Sequence, residues 1–237
     1  MTPFHAISWE EQRQRIAEIA LVNVIAIYEV WCEEMCNKLG HDDLAVRLQF
    51  PTNAARTRGV GSAIDQLTSS GSAALKSSIY PALTLSKKYS IGSLDNLLKC
   101  FRYFKEMRNT FMHRGRRCDG KLYGAQSEFV PVANAAALGM TFVPEHSVYQ
   151  IGEPISLSLH GVLGFTGVIL RVVTTVDAEL ARSSLADTEI VRRIKTIKKT
   201  TIKMPNSIRS VLNTFGIQGV HMSGDFINLL RSNSVLE

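Results

Sequence analysis

A mainly α-helical bundle is the fold class this sequence predicts, with a few short strands or extended segments and a small helical C-terminal appendage. Apolar residues recur every three or four positions over three long stretches. Those stretches are bracketed by residues that start and stop helices. Strand-like segments between them are few and short, which favours helix packed on helix.

The first helix opens at Ser8, with Glu11 three residues on, the pair that forms a capping box. Ile16, Ala20, Val24, Ile27, Trp31 and Met35 follow at helical spacing, and Gly40 supplies the stop. A shorter helix over residues 42–50 ends at Pro51. Residues 52–78 are rich in Ser, Gly, Ala and Thr and read as loops around one short helix at residues 63–67. A second long helix starts near Ser93; Leu94, Leu97, Leu98, Phe101, Phe104, Phe111 and Met112 mark one face, and Gly115 fits its end. Residues 128–132, 140–143 and 154–159 read as short strands or extended loops. A third long helix covers residues 162–181, with Val162, Phe165, Ile169, Val172, Val176 and Leu180 on one face. Three short helical patterns follow, at residues 190–199, 208–215 and 225–231, separated by Pro205 and Gly216. The chain thus divides into a helical domain over residues 1–183 and a short helical segment over residues 184–237.

Composition narrows the class. With 45% apolar and 20% charged residues over 237 positions, the chain can bury a sizeable core. A net charge of +6 favours polyanionic partners such as RNA, though mildly. Cys32, Cys36, Cys100 and Cys118 do not form a disulfide pattern, so a reducing, cytoplasmic setting is expected. No paired CxxC accompanies Cys32, Cys36 and His41, so no metal is expected. Gly59-Val60-Gly61 lacks the Gly-Lys-Ser/Thr of a phosphate loop, and no cofactor is expected. The apolar run at residues 19–31 contains Asn23 and Glu29, and the run at residues 162–176 contains Arg171, so no membrane segment is expected.

The chemistry concentrates in FRYFKEMRNTFMHRGRR, residues 101–117. Leu97, Phe101, Phe104, Arg108 and Phe111 share a stripe, so Arg108 fills a slot where an apolar residue belongs. A guanidinium there must reach a carboxylate, a subunit interface or a phosphate. Asn109 and His113 lie one turn apart on the adjacent face. His113 stands in the last turn before Gly115, at the negative end of the helix dipole, and imidazole suits general acid–base work. An Arg fork stabilises charge on phosphate oxygens. Arg102, Lys105, Arg114, Arg116 and Arg117 could hold RNA phosphates.

The sequence Arg108-Asn109-Thr-Phe-Met-His113 resembles the Arg, polar residue, three spacers, His signature of HEPN (higher eukaryotes and prokaryotes nucleotide-binding) ribonucleases, and the Tyr28-Glu29 pair in a long N-terminal helix is similar to that family too. The resemblance is specific over residues 101–117 and loose over residues 8–181. It implies a HEPN-like bundle with the motif late in a helix, and homodimerisation through that helix to form one composite cleft. It further implies metal-independent cleavage of RNA by 2′-hydroxyl attack, with Arg108, Asn109 and His113 as the catalytic group and Glu29 in support. It also implies a toxin or antiphage-defence setting, with an antitoxin or other regulatory protein as a partner.

Blander readings stand beside it. Arg108 can be structural, paired with Glu29 or Glu106, with Asn109 and His113 capping the helix end. A HEPN-like module could bind RNA, a nucleotide or a protein without chemistry. The basic run at residues 192–203 is most simply the wet side of a helix with Ile190, Ile194 and Ile197 beneath it; its charges and the short helices around Gly216 also allow a DNA-binding regulator.

Overall fold

A computed structural model describes residues 8–52, 59–197 and 205–236. Among them lie eleven helices and no strand. These are α1 (Trp9–Leu39), α2 (Ala45–Leu48), α3 (Val60–Leu67), α4 (Ala73–Thr84), α5 (Leu94–His113), α6 (Gly120–Phe129), α7 (Ala135–Leu138), α8 (Leu159–Leu180), α9 (Leu185–Ile197), α10 (Pro205–Thr214) and α11 (Gly224–Ser232).

The long helices form over the stretches that the apolar spacing marks, but the buried faces differ: α1 buries Ala17, Leu21, Ile25, Tyr28, Cys32 and Cys36, which leaves Ile16 and Ile27 of the expected stripe exposed, and α5 leaves Met112 exposed. The capping box closes in both directions at α1: Glu11 N–H donates to Ser8 Oγ at 3.2 Å and Ser8 N–H to Glu11 Oε2 at 3.0 Å. Gly40, at φ 73°, ends the helix in the left-handed conformation that glycine adopts without strain. Helix α5 runs through the middle, packed on α1, α6 and α8, and so buries far more than one stripe, including Leu97, Leu98, Phe101, Tyr103, Phe104 and Met107. Its aromatic rings tie the bundle: Phe104 stacks on Phe165 of α8 at 4.7 Å, and Tyr28 of α1 meets Phe101 edge-on at 4.9 Å. Tyr28 also donates its hydroxyl to Leu48 O at 2.8 Å, which fixes α2 against α1.

The strand-like segments adopt other structures. Residues 128–132 finish α6 and form a 3₁₀ turn. Residues 140–143 are irregular, and residues 154–158 are extended with one isolated bridge, Arg117 to Pro154, before α8 begins. Side chains replace the missing ladder. Gln126 on α6 donates to Tyr149 O at 3.1 Å and accepts from Tyr149 N–H at 2.8 Å, and Tyr103 donates to Ser147 O at 2.8 Å. The segment passes so close to α8 that a Cβ on Gly164 would meet Pro144 Cα at 2.7 Å.

Three helices, α4, α6 and the short α7, occupy stretches where none is expected. Ser72, Asp119 and Asn134 cap them, accepting from Leu75 N–H at 3.0 Å, Leu122 N–H at 2.9 Å and Ala137 N–H at 2.8 Å. Helix α4 belongs to a second core: its Leu75 and Ile79 pack with Val191 and Ile194 of α9, Ile208 and Leu212 of α10, and Phe226 and Leu230 of α11. Helix α8 is long and apolar enough to cross a membrane by length and composition, and half of its most apolar window is buried against neighbouring helices. Its Arg171 donates to Lys87 O at 2.7 Å.

Candidate functional site

Helix α5 carries the trio on its last two turns. Arg108 is about one-fifth exposed, and its guanidinium crosses to α1, where Nη2 contacts Glu29 Oε2 at 3.2 Å and Oε1 at 3.3 Å. Its Nη1 donates to Asn109 Oδ1 at 3.1 Å. A carboxylate is therefore the partner that the apolar slot demanded, and it is Glu29 rather than Glu106. The Arg108 Nε is buried and makes no hydrogen bond. His113 is exposed and has no hydrogen bond or ion pair among the described residues. Helix α5 ends just past it: Arg114 and Arg116 N–H both turn back to Thr110 O, at 3.2 and 3.3 Å, as Gly115 and Arg116 take positive φ of 70° and 61°.

Glu29 is shared. Lys105 Nζ, one turn before Arg108, donates to Glu29 Oε1 at 3.0 Å and to Gln49 O at 2.9 Å. Two cations thus converge on one carboxylate beside Asn109. The local balance is positive, so an incoming phosphate would be attracted by the excess cation while competing with Glu29 for Arg108.

The other basic residues are largely neutralised within the chain. Arg102 Nη1 reaches both oxygens of Glu128, at 2.8 and 2.9 Å. Arg114 reaches Glu106 at 2.7 Å and Asp119 at 3.1 Å. Arg116 holds both oxygens of Glu18, at 2.9 and 2.8 Å, and lies over the Phe111 ring. Arg117 donates to Gly152 O at 2.8 Å and is exposed, with no acidic partner among the described residues. The sequence does not point to Glu18, Glu128 or Asp119 as partners: the Arg116–Glu18 and Arg102–Glu128 pairs join distant turns, and the Arg114–Asp119 pair depends on the turn at Gly115 and Arg116. Arg192 forks onto Glu189, Arg193 donates through Nε to Glu189 Oε1 at 2.8 Å, and residues 198–203 of that basic run lie outside the described residues.

None of the trio lines the cavities of about 240, 400 and 410 Å³. The candidate site is an open patch at the end of α5 and the flank of α1. Met112, 55% exposed beside His113, is the one large apolar side chain that α5 presents outward among the described residues. No group of three or more His, Cys, Asp or Glu side chains among the described residues is arranged to hold a metal. All four cysteines are buried and unpaired, and burial pushes the Cys32 thiol up to about 12 and the Cys36 thiol to about 11.

Compared with known proteins, the chain matches no family model, no curated protein and no solved structure.

Proposed function

We propose that the protein is a metal-independent endoribonuclease of HEPN type, acting through Arg108, Asn109 and His113 and serving as a toxin or antiphage effector. One observation carries the reading: a guanidinium oriented by Glu29 and Asn109 sits five residues before an exposed imidazole that has no partner among the described residues. In the reaction the 2′-oxygen bonds to the adjacent phosphorus and the 5′-oxygen leaves. A proton passes from the 2′-hydroxyl to that 5′-oxygen through His113. Arg108 stabilises the charge that builds on the phosphate oxygens, and Asn109 positions the strand. RNA supplies its own nucleophile, so no cofactor enters the scheme. Arg117 supplies a phosphate contact outside the trio. The test is product chemistry. Cleavage should leave a 2′,3′-cyclic phosphate or its opened form, and a 2′-deoxy substitution at the cut site should block it; cleavage that persists on the 2′-deoxy strand refutes the mechanism.

The Arg108–Glu29 pair specifically favours a second reading, a HEPN-like module that binds RNA, a nucleotide or a partner without chemistry. In that case Arg108 holds α5 to α1, and RNA binding survives His113→Ala.

A further inference from the structure

A groove of about 400 Å³ opens where α1, α4, α8, α9 and the turn after α10 come together. Its walls are apolar: Trp31 and Met35 come from α1, Leu83 from α4, Ile190 from α9, and Phe215 and Ile217 from the turn. All six are half-buried, so the bundle covers them only in part. Trp31 and Met35 pack on the first core, and the other four on the second. Five charged residues line the same groove, and four of them pair within it. Glu34 holds Lys38 at 3.6 Å, and Arg193 Nε donates to Glu189 Oε1 at 2.8 Å. The fifth is Asp177 of α8, which is open to solvent and whose side chain makes no hydrogen bond or ion pair among the described residues. Surrounding protein atoms push its carboxyl up to about 6, against a weaker pull from Arg193. At pH 7.5 the groove therefore holds one carboxylate charge without a counter-ion, set among apolar side chains.

We propose that this groove binds a small organic cation, a protonated amine on an apolar aromatic or aliphatic body, with Asp177 as its counter-ion. The volume lies in the range of small-molecule pockets, about 300–1,000 Å³. A neutral or anionic ligand would cover the Asp177 charge without pairing it. An ammonium group donates to the carboxylate, and the apolar walls that thin the hydration of Asp177 strengthen that ion pair. Because the fold already crowds Asp177 in the free protein, binding adds less desolvation there than at a fully hydrated surface carboxylate. Trp31 and Phe215 add aromatic rings, whose faces attract a cation, and the remaining walls take the apolar body. The ligand touches walls from both cores, so its binding stabilises the whole chain. The site does not rest on the ribonuclease reading, since Arg108, Asn109 and His113 lie outside the groove.

The test is titration of the full chain at pH 7.5 with 2-phenylethylamine and with hexylamine. Calorimetry follows binding, and Trp31 fluorescence locates it in a Trp9→Phe background, where Trp31 is the remaining indole. Both amines should bind saturably, shift the Trp31 emission and raise Tm. The alcohol 2-phenylethanol and the anion 3-phenylpropionate keep the aromatic body and change the charge; both should bind at least about tenfold more weakly. Asp177→Asn should lower amine affinity by about ten- to a hundredfold and remove the preference for amine over alcohol. Glu34→Gln deletes a charge that Lys38 already pairs, and should leave amine affinity within about twofold. Absence of saturable binding by either amine, equal binding of the alcohol, or an Asp177→Asn variant that binds amine as wild type does would overturn the proposal. So would a loss in Glu34→Gln as large as that in Asp177→Asn.

Discussion

Arg108 on α5 and Glu29 on α1 form a half-buried ion pair, with contacts of 3.2 and 3.3 Å, at the point where the apolar stripe of α5 is interrupted. Lys105 adds a second cation to the same carboxylate. Removing Glu29 therefore strands two positive charges, whereas removing Arg108 leaves Glu29 with Lys105. Glu29→Ala is expected to cost about 2–3 kcal/mol and Arg108→Ala about 1–2 kcal/mol. Urea unfolding of the two variants measures both, and an equal cost would mean that Lys105 contributes nothing.

A methyl group has no room at position 164. Its Cβ would stand 2.7 Å from Pro144 Cα and 3.0 Å from Pro144 Cβ, both parts of a rigid ring rather than a flexible tip. Gly164→Ala is expected to destabilise by about 1–3 kcal/mol, although alanine is the better helix former. Gly124→Ala on α6, where nothing lies within 4 Å, serves as the control and should be neutral or stabilising. Thermal melts distinguish the two.

Asp177 lines the groove of about 400 Å³ where α1, α4, α8 and α9 meet. Crowding by protein atoms pushes its carboxyl up to about 6, against the pull of Arg193. The folded state therefore holds the proton more tightly than the unfolded chain, whose value is near 3.8. The resulting destabilisation is absent below about pH 4, grows between pH 4 and 6, and is full above. Asp177→Asn should raise Tm at pH 7.5 and flatten the fall in stability between pH 4 and 6. Glu189 runs the other way, held down to about 2 by Arg192 and Arg193, so its contribution is lost below pH 4.5.

Burial, which raises the thiols of Cys32, Cys36 and Cys100, should make them unreactive in the native state. Titration with a thiol reagent should give slow, sub-stoichiometric labelling under native conditions and four equivalents in denaturant. Rapid native labelling of Cys100 would contradict its packing inside α5.

Helices whose apolar period is uninterrupted were legible. Ser8, Glu11 and Gly40 bracket α1 as their chemistry dictates, and Gly115 lies just past the end of α5. Helix α4 was not, because its turns carry Pro81 and several serines and its apolar partners lie more than a hundred residues away in α9–α11. The stretch at residues 140–158 has strand-like composition, yet Gln126 and Tyr103 meet its backbone groups where a neighbouring strand would. The same locality governs the site. The placement of Arg108 in the apolar stripe calls for a partner, and Glu29 is one of the two carboxylates the sequence offers. That Glu18, Glu128 and Asp119 would neutralise Arg116, Arg102 and Arg114 follows only from how α5 meets α1 and α6.

The proposed cleavage depends on His113, whose imidazole is exposed and makes no hydrogen bond or ion pair among the described residues. The most direct measurement is the rate at which purified wild type and His113→Ala cut a labelled single-stranded RNA in EDTA, with Tm recorded for both. Cleavage by wild type, a loss of about 10²–10⁴-fold in the variant and equal Tm values are expected if His113 moves the proton. Equal cleavage rates, or RNA left intact by the wild type, would contradict it.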